Sequence, residues 1–267
     1  MQNILSVQSL TKKFDDLTAV KDISFNVETG SIFAFLGPNG AGKSTTIKML
    51  TTVLKPTSGE ISINGFNALK EQDRARASFG IVFQDHSLDD ELTAYENIAY
   101  HAVIYKVPKK ERAERIRRAL EIVGLWDRRE DYVKKYSGGM KRRLEIARAL
   151  VHYPKILFLD EPTVGLDPQT RKSIWDHIKN LNQEKRMTIF LTTHYMEEAE
   201  AIADRIAIID HGRIIESGTV DEIKARTDAE SLEEAFLKLT GRDIRDENNG
   251  SGIKMRTLRG IRRRSRN

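Results

Sequence analysis

The chain has 267 residues, 44 Lys and Arg against 39 Asp and Glu, a net charge of +5, 39% hydrophobic residues and no Cys. That length and apolar content exclude wholesale disorder and suit one large α/β domain, with or without a small appendage. The absence of Cys excludes a disulfide framework, a thiolate zinc site and a catalytic thiol, and no apolar run approaches the roughly 18–20 residues of a membrane span.

In chain order, Met1–Leu10 lacks the long apolar centre of a signal peptide, so a chain without an anchor of its own is expected. Ile4–Leu10, Ile23–Val27, Ile32–Leu36, Ile61–Ile63, Gly80–Phe83, Ile156–Leu159, Thr188–Thr192, Ile206–Ile209 and Arg213–Glu216 read as strands. Helical patterns lie between many of them, beginning with Thr45–Leu54. This alternation predicts an α/β fold: a mostly parallel sheet with helices on both faces. Residues 87–153 carry little strand signal. Thr93 and Glu96 form a capping-box pair ahead of a helix reaching about Tyr105. Pro108 suits the first turn of the next helix, whose stripe is Ile116, Ala119, Leu120 and Val123, and Gly124 is a natural stop. A third helix follows Ser137, with Met140, Leu144, Ala147 and Val151 on one stripe. Residues 87–153 are therefore expected to form a helical subdomain inserted into a core of residues 1–86 and 154–247.

Residues 248–267 read as a tail. Lys254, Arg256, Arg259, Arg262, Arg263, Arg264 and Arg266 stand there without an acid after residue 253, and subtracting these seven charges from +5 leaves −2 for residues 1–253. A basic run can bind nucleic acid or anionic lipid, but a solvated end is the plainer reading.

Gly37-Pro38-Asn39-Gly40-Ala41-Gly42-Lys43-Ser44 follows a strand and opens the helical pattern that begins at Thr45. This is a P-loop in its required context. Its glycines let backbone N–H groups close on oxyanions, and the following helix adds its positive dipole end. Lys43 supplies a mobile charge for the β- and γ-phosphates of a nucleotide, and the Ser44 hydroxyl is a hard oxygen ligand suited to Mg²⁺. Asp160 and Glu161 end the continuous apolar strand 156–159, where ligands bind in open α/β sheets. Alone they read equally as a solvated acidic turn. Beside a P-loop, Asp160 becomes a candidate Mg²⁺ ligand and Glu161 a candidate general base for an attacking water.

Together these motifs resemble the ATP-binding cassette family, and the resemblance spans about residues 1–243. Gly37–Ser44 resembles its Walker A motif and Ile156–Glu161 its Walker B motif with the following glutamate. Gln84 matches the Q-loop, Tyr136-Ser137-Gly138-Gly139-Met140 the signature, Gly165-Leu166-Asp167-Pro168 the D-loop and His194 the switch histidine. Phe14 falls where the family stacks an aromatic on adenine. Gly80–Asn97, Phe158–Arg171 and Ser231–Glu247 are similar to ATPase subunits of daunorubicin-resistance-type exporters. Tyr136 and Met140 depart from the usual Leu and Gln of the signature.

The resemblance implies a P-loop ATPase fold with an antiparallel β portion. It also implies ATP and Mg²⁺ as cofactors, and Glu161, His194 and Gln84 as catalytic residues. ATP would be held by Phe14 and Gly37–Thr45, including Pro38, Asn39, Gly40, Ala41 and Gly42. Mg²⁺ would meet Ser44, Gln84 and Asp160. Ser137, Gly138, Gly139 and Asp167 would complete the site from a second subunit packed head to tail, since Ser137 reads as an N-cap whose following N–H groups make a second anion site. A separate membrane-spanning permease is the implied partner, holding the ATPase at the cytoplasmic side of the cell membrane. The Ser231–Thr240 segment reads either as a dock for such a partner or second copy, or as a plain amphipathic closing helix. The competing function is a soluble cassette ATPase acting on nucleic acid or ribosomes. Such proteins usually carry a long coiled-coil insertion, zinc-binding Cys or two cassettes. Only 52 residues separate Gln84 from Ser137, no Cys is present and there is one P-loop, so nucleic acid is the disfavoured partner.

Overall fold

The computed structural model describes residues 2–241; the basic tail read from the sequence lies outside them. The elements run β1 (Asn3–Phe14), β2 (Leu17–Glu28), β3 (Ile32–Leu36), α1 (Lys43–Leu50), β4 (Ser58–Ile63), β5 (Phe66–Asn67), α2 (Gln72–Ser78), β6 (Phe79–Val82), α3 (Ala94–Ile104) and α4 (Lys109–Ile122). There follow α5 (Gly138–Leu150), β7 (Ile156–Asp160), α6 (Pro168–Lys185), β8 (Thr188–Thr193), α7 (Met196–Ile202), β9 (Arg205–Asp210), β10 (Arg213–Gly218), α8 (Val220–Thr227) and α9 (Leu232–Thr240).

One six-stranded sheet has the order β10-β9-β3-β8-β7-β6. All its pairings are parallel except β10 with β9. A second, antiparallel sheet has the order β2-β1-β4-β5. The apolar strands of the first sheet show why it is buried on both faces. Along β3, Ile32, Ala34 and Leu36 join the core shared with α3, α4, α5 and α6, while Phe33 and Phe35 point to the core shared with α1 and the antiparallel sheet. β7 divides in the same way, Leu157 and Leu159 against Ile156 and Phe158. On the antiparallel-sheet side, Phe25, Phe33 and Phe190 stack and Phe35 tilts against Phe25 and Phe190, with centroids 5.5–6.0 Å apart. A strand sandwiched between two cores reads as an unbroken apolar run.

Among the described residues only helices and helical turns connect β6 to β7, with a single bridge between Thr93 and Tyr132. The Thr93–Glu96 capping box forms in both directions, and Ser137 caps α5 by accepting from the Met140 N–H. Gly124 takes a φ of +64°, as a helix stop requires. Two local expectations need correction, and one strand was not expected. Pro108 stands one residue before α4, at the N-cap with ψ 133°, because the position gives extended backbone instead of a helical turn. α1 ends at Leu50 and not Leu54: Thr51-Thr52-Val53 is a β-branched run of poor helix formers, and the amides of Val53 and Leu54 turn back to Lys48 O. The two-residue strand β5 is too short to leave a period in the sequence.

Candidate functional site

The parallel strands all deliver their C-terminal ends to one edge. β3 and β7 flank β8, so the glycine-rich turn after β3, the acid pair ending β7 and the histidine after β8 meet there. β6 joins the same edge, and Gln84 follows Val82, which pairs with Leu159.

The turn wraps around its own lysine. Lys43, 5% exposed, donates to Gly37 O at 2.7 Å and Pro38 O at 3.0 Å. Asn39 and Gly40 are exposed, whereas Pro38 and Ala41 are buried. Gly42 is the N-cap of α1 with φ +110°, which favours glycine, and a Cβ at Gly37 would lie 2.3 Å from Ile209 O. Ser44 and Thr45 occupy the first turn of α1 and are half-buried. The β1–β2 hairpin packs beside the turn. Lys21 N donates to Gly212 O, and Gly212 N to Ala41 O.

Asp160 and Glu161 are both buried. Strand register puts Thr192 directly opposite Asp160. The Thr192 hydroxyl donates to Asp160 Oδ1 at 2.6 Å and accepts from Glu161 N at 3.0 Å. Ser44 Oγ reaches the same Asp160 oxygen at 3.5 Å. Burial, together with the adjacent Glu161 charge, raises the Asp160 carboxyl above its ordinary value against the pull of the Thr192 and Ser44 hydroxyls and Lys43. Glu161 goes the other way. Burial pushes it up, but His194 and the Lys43 ammonium outweigh burial and hold it below the usual carboxylate range. Lys43 Nζ lies 3.2 Å from Glu161 Oε1, and His194 Nδ1 lies 3.2 Å from Glu161 Oε2. The buried His194 Nδ1 makes no hydrogen bond of good geometry among the described residues.

The structure therefore brings Lys43, Ser44, Asp160, Glu161 and His194 into one contiguous group. Gln84 is exposed at the same edge. Phe14, near the hairpin turn, is 42% exposed with Lys12 Nζ 4.8 Å over its ring. Ser137, Gly138, Gly139 and Asp167 form a second group. Ser137 and Gly138 are exposed at the start of α5, and a Cβ at Gly139 would meet Thr170 of α6. Asp167 already has work within its own chain, capping α6 through Thr170 N at 3.0 Å and Thr170 Oγ1 at 2.6 Å. Sequence reasoning missed Thr192, Arg142 and Glu198. Glu198 accepts from the hydroxyls of Thr163 and Thr193 and so ties the chain after Glu161 to the end of β8. The register of two strands is needed to find Thr192. The Asp167-Pro168 pair, a helix-start signal, could have revealed the capping role of Asp167.

A central parallel strand feeding a glycine-rich turn and helix, with a buried lysine in the turn and an acid pair two strands away, defines a P-loop nucleoside triphosphatase. The family model described as ABC transporter matches residues 20–164. The linearmycin resistance ATP-binding protein LnrL of Bacillus subtilis is 43% identical over 229 residues, 86% of this chain and 73% of that protein. The daunorubicin/doxorubicin resistance ATP-binding protein DrrA of Streptomyces peucetius is 42% identical over 221 residues, 83% of this chain and 67% of that protein. The dimeric post-hydrolysis state of the ATP-binding cassette MJ0796 bound to ADP and Pi is a similar solved structure, with TM-score 0.71 and 30% identity over 80% of this chain and 98% of that one. The chain belongs to the ABC transporter family, as an ATP-binding, ATP-hydrolysing subunit. Among the described residues no helix is long and apolar enough to cross a membrane.

Proposed function

We propose that the chain is the motor of an exporter whose membrane-spanning part is a separate chain, held by that partner at the cytoplasmic face of the membrane. The observation that carries its ATPase part is the gathering of Lys43, Ser44, Asp160, Glu161 and His194 at one sheet edge, linked by contacts of 3.2–3.5 Å. The Gly37–Thr45 turn binds the triphosphate through its amides and Lys43, with the adenine against Phe14. Glu161, held ionised, accepts the proton of the water that attacks the γ-phosphorus. ADP departs as the new P–O bond forms. His194 hydrogen-bonds the γ-phosphate, and Gln84 lines the water's side of the site.

The residues fit Mg²⁺. The Ser44 hydroxyl and the Asp160 carboxylate are hard oxygen donors 3.5 Å apart, and Mg²⁺ is commonly held by one or two protein oxygens with phosphates and water completing its shell. Gln84 would add a carbonyl. When bound, the ion supplies neutralisation of charge on the β- and γ-oxygens.

Two such subunits pack head to tail, and the exposed start of α5, with the amides of Gly138 and Gly139 beside Ser137, faces the nucleotide held by the other. Asp167 shapes that contact. Loss of the γ-phosphate removes negative charge from the joint and opens it. In this working division residues 87–153 form the arm that carries the signature against a core of residues 1–86 and 154–247, of which residues 1 and 242–247 lie outside the described residues. The relatives named for linearmycin and daunorubicin/doxorubicin resistance favour an antibiotic-like cargo, selected by the membrane partner. The test is twofold. Glu161→Gln should bind ATP as wild type and turn it over roughly 10²–10⁴-fold more slowly, and wild-type turnover would remove Glu161 from its role. A pull-down from detergent-solubilised membranes should recover an integral membrane subunit, and recovery of ribosomes or nucleic acid in its place would overturn the exporter reading.

A further inference from the structure

Arg142 lies one turn past Gly138 on α5 and is 3% exposed. Its guanidinium holds three segments at once. Nε donates to Pro162 O at 2.8 Å, Nη2 to Asp160 O and Glu161 O at 3.1 Å each, and Nη1 to Phe83 O at 2.5 Å. Nη1 also meets Glu145 Oε2 at 3.0 Å. Glu145, 1% exposed, in turn accepts from Ser87 N at 2.9 Å and lies 3.3 Å from His86 Nδ1. The signature helix, the backbone around Glu161 and the 83–87 segment containing Gln84 are thereby fastened to one ion pair.

Two points argue that this pair serves more than cohesion. A buried ion pair is a poor source of stability, since apolar residues of similar volume often serve as well. And Glu161 needs holding. Its φ is +46°, the left-handed region, which persists in a non-glycine residue only when neighbours enforce it. Its N–H is fixed by Thr192 O and Thr192 Oγ1, and its C=O by Arg142. Among side chains, only the rigid five-donor fork of arginine spans so many carbonyls.

We infer that Arg142 and Glu145 are a positioning pair: they set the Glu161 carboxylate for the chemical step and fix its register to the 83–87 segment, so that turnover depends on them while nucleotide binding does not. The inference rests on Glu161 being the base.

The experiment compares full-length wild type with Arg142→Met/Glu145→Leu, Arg142→Lys and Glu161→Gln, measuring thermal unfolding, ATP affinity and turnover. The double variant removes both buried charges and keeps the volume. It should melt cooperatively but below the wild-type temperature, because four carbonyls and the Ser87 N–H lose their partners, and keep its ATP affinity and KM. Its kcat should fall about 100-fold, the effect of displacing a reacting group by about 1 Å. A folded double variant with wild-type kcat overturns the inference, as does a loss of kcat matched by an equal loss of ATP affinity. Should the double variant fail to fold, Arg142→Lys decides. It keeps the charge opposite Glu145 but its single ammonium cannot reach the four carbonyls, so reduced kcat at unchanged KM supports the pair and unchanged kcat overturns it. Normal turnover in Glu161→Gln would mark failure of the base assignment, a result separate from any of these.

Discussion

The seam between the signature helix and the D-loop helix makes a sharp prediction about Gly139. A Cβ placed there would lie 2.3 Å from Thr170 Cγ2, but 3.5 Å from both Thr170 Cβ and Oγ1. Comfortable carbon–carbon separation is about 3.5–4.0 Å, so Gly139→Ala must part α5 and α6 by more than about 1 Å or turn Thr170 away. Turning it breaks the hydroxyl bond to Asp167. Overpacking of this kind costs roughly 1–3 kcal/mol, against which alanine in a helix recovers up to about 1 kcal/mol over glycine. A net loss of about 1–2 kcal/mol follows, read as a fall in melting temperature of roughly 2–8 °C. The clash is with one methyl group. Thr170→Ser deletes that methyl and retains the hydroxyl that bonds Asp167, so Gly139→Ala/Thr170→Ser should recover to within about 1 kcal/mol of wild type, the worth of one methyl. Chemical unfolding of the four proteins of this cycle gives the coupling directly. Wild-type stability in Gly139→Ala, or an absence of recovery in the double variant, would rule out the clash.

Lys43→Ala should weaken ATP binding and also reduce stability by roughly 1–3 kcal/mol, because buried Glu161 loses a cation 3.2 Å away; an unchanged ATP titration would contradict the first part and an unchanged urea midpoint the second. Thr192→Val should destabilise by about 1–3 kcal/mol, since the Asp160 oxygen loses a 2.6 Å donor in a buried site; differential scanning calorimetry checks it. His101 and His152 pack around Tyr105, and burial first, then Arg148 or Arg115 nearby, lowers each imidazole from 6.5 to about 4. Both are neutral in the fold, so the unfolded chain binds more protons between pH 6.5 and 4 and stability falls as pH drops through that window, by about 2 kcal/mol per histidine at pH 5. His152→Phe should flatten the pH dependence of the unfolding midpoint, and an unaltered slope would speak against the assignment.

Much of this architecture was legible because it is local. The strand Ile156–Leu159 is unbroken apolar sequence since both of its faces are covered, and the phosphate turn announces itself through glycines, lysine and serine placed between a strand and a helix. The Thr93–Glu96 box and the Ser137 cap need only a few consecutive residues. What escaped depends on residues far apart in the chain. Thr192 belongs to the carboxylate group only because β8 pairs with β7 in a register that no local pattern specifies. Arg142 sits among charged neighbours, Lys141 and Arg143, and nothing in that run marks which one turns inward to four carbonyls. Asp167 shows the converse. Its motif suggested a contact to a second subunit, while the structure also gives it a plain local duty as the cap of α6.

In the proposed cycle ATP is sandwiched between the phosphate turn of one copy and the Ser137–Gly139 segment of another. Sedimentation of full-length Glu161→Gln with saturating Mg²⁺ and ATP tests it most directly. A dimer should appear with ATP, be absent with ADP and be lost when Ser137→Arg is added. A protein that stays monomeric with ATP bound, or a dimer indifferent to Ser137→Arg, would contradict it.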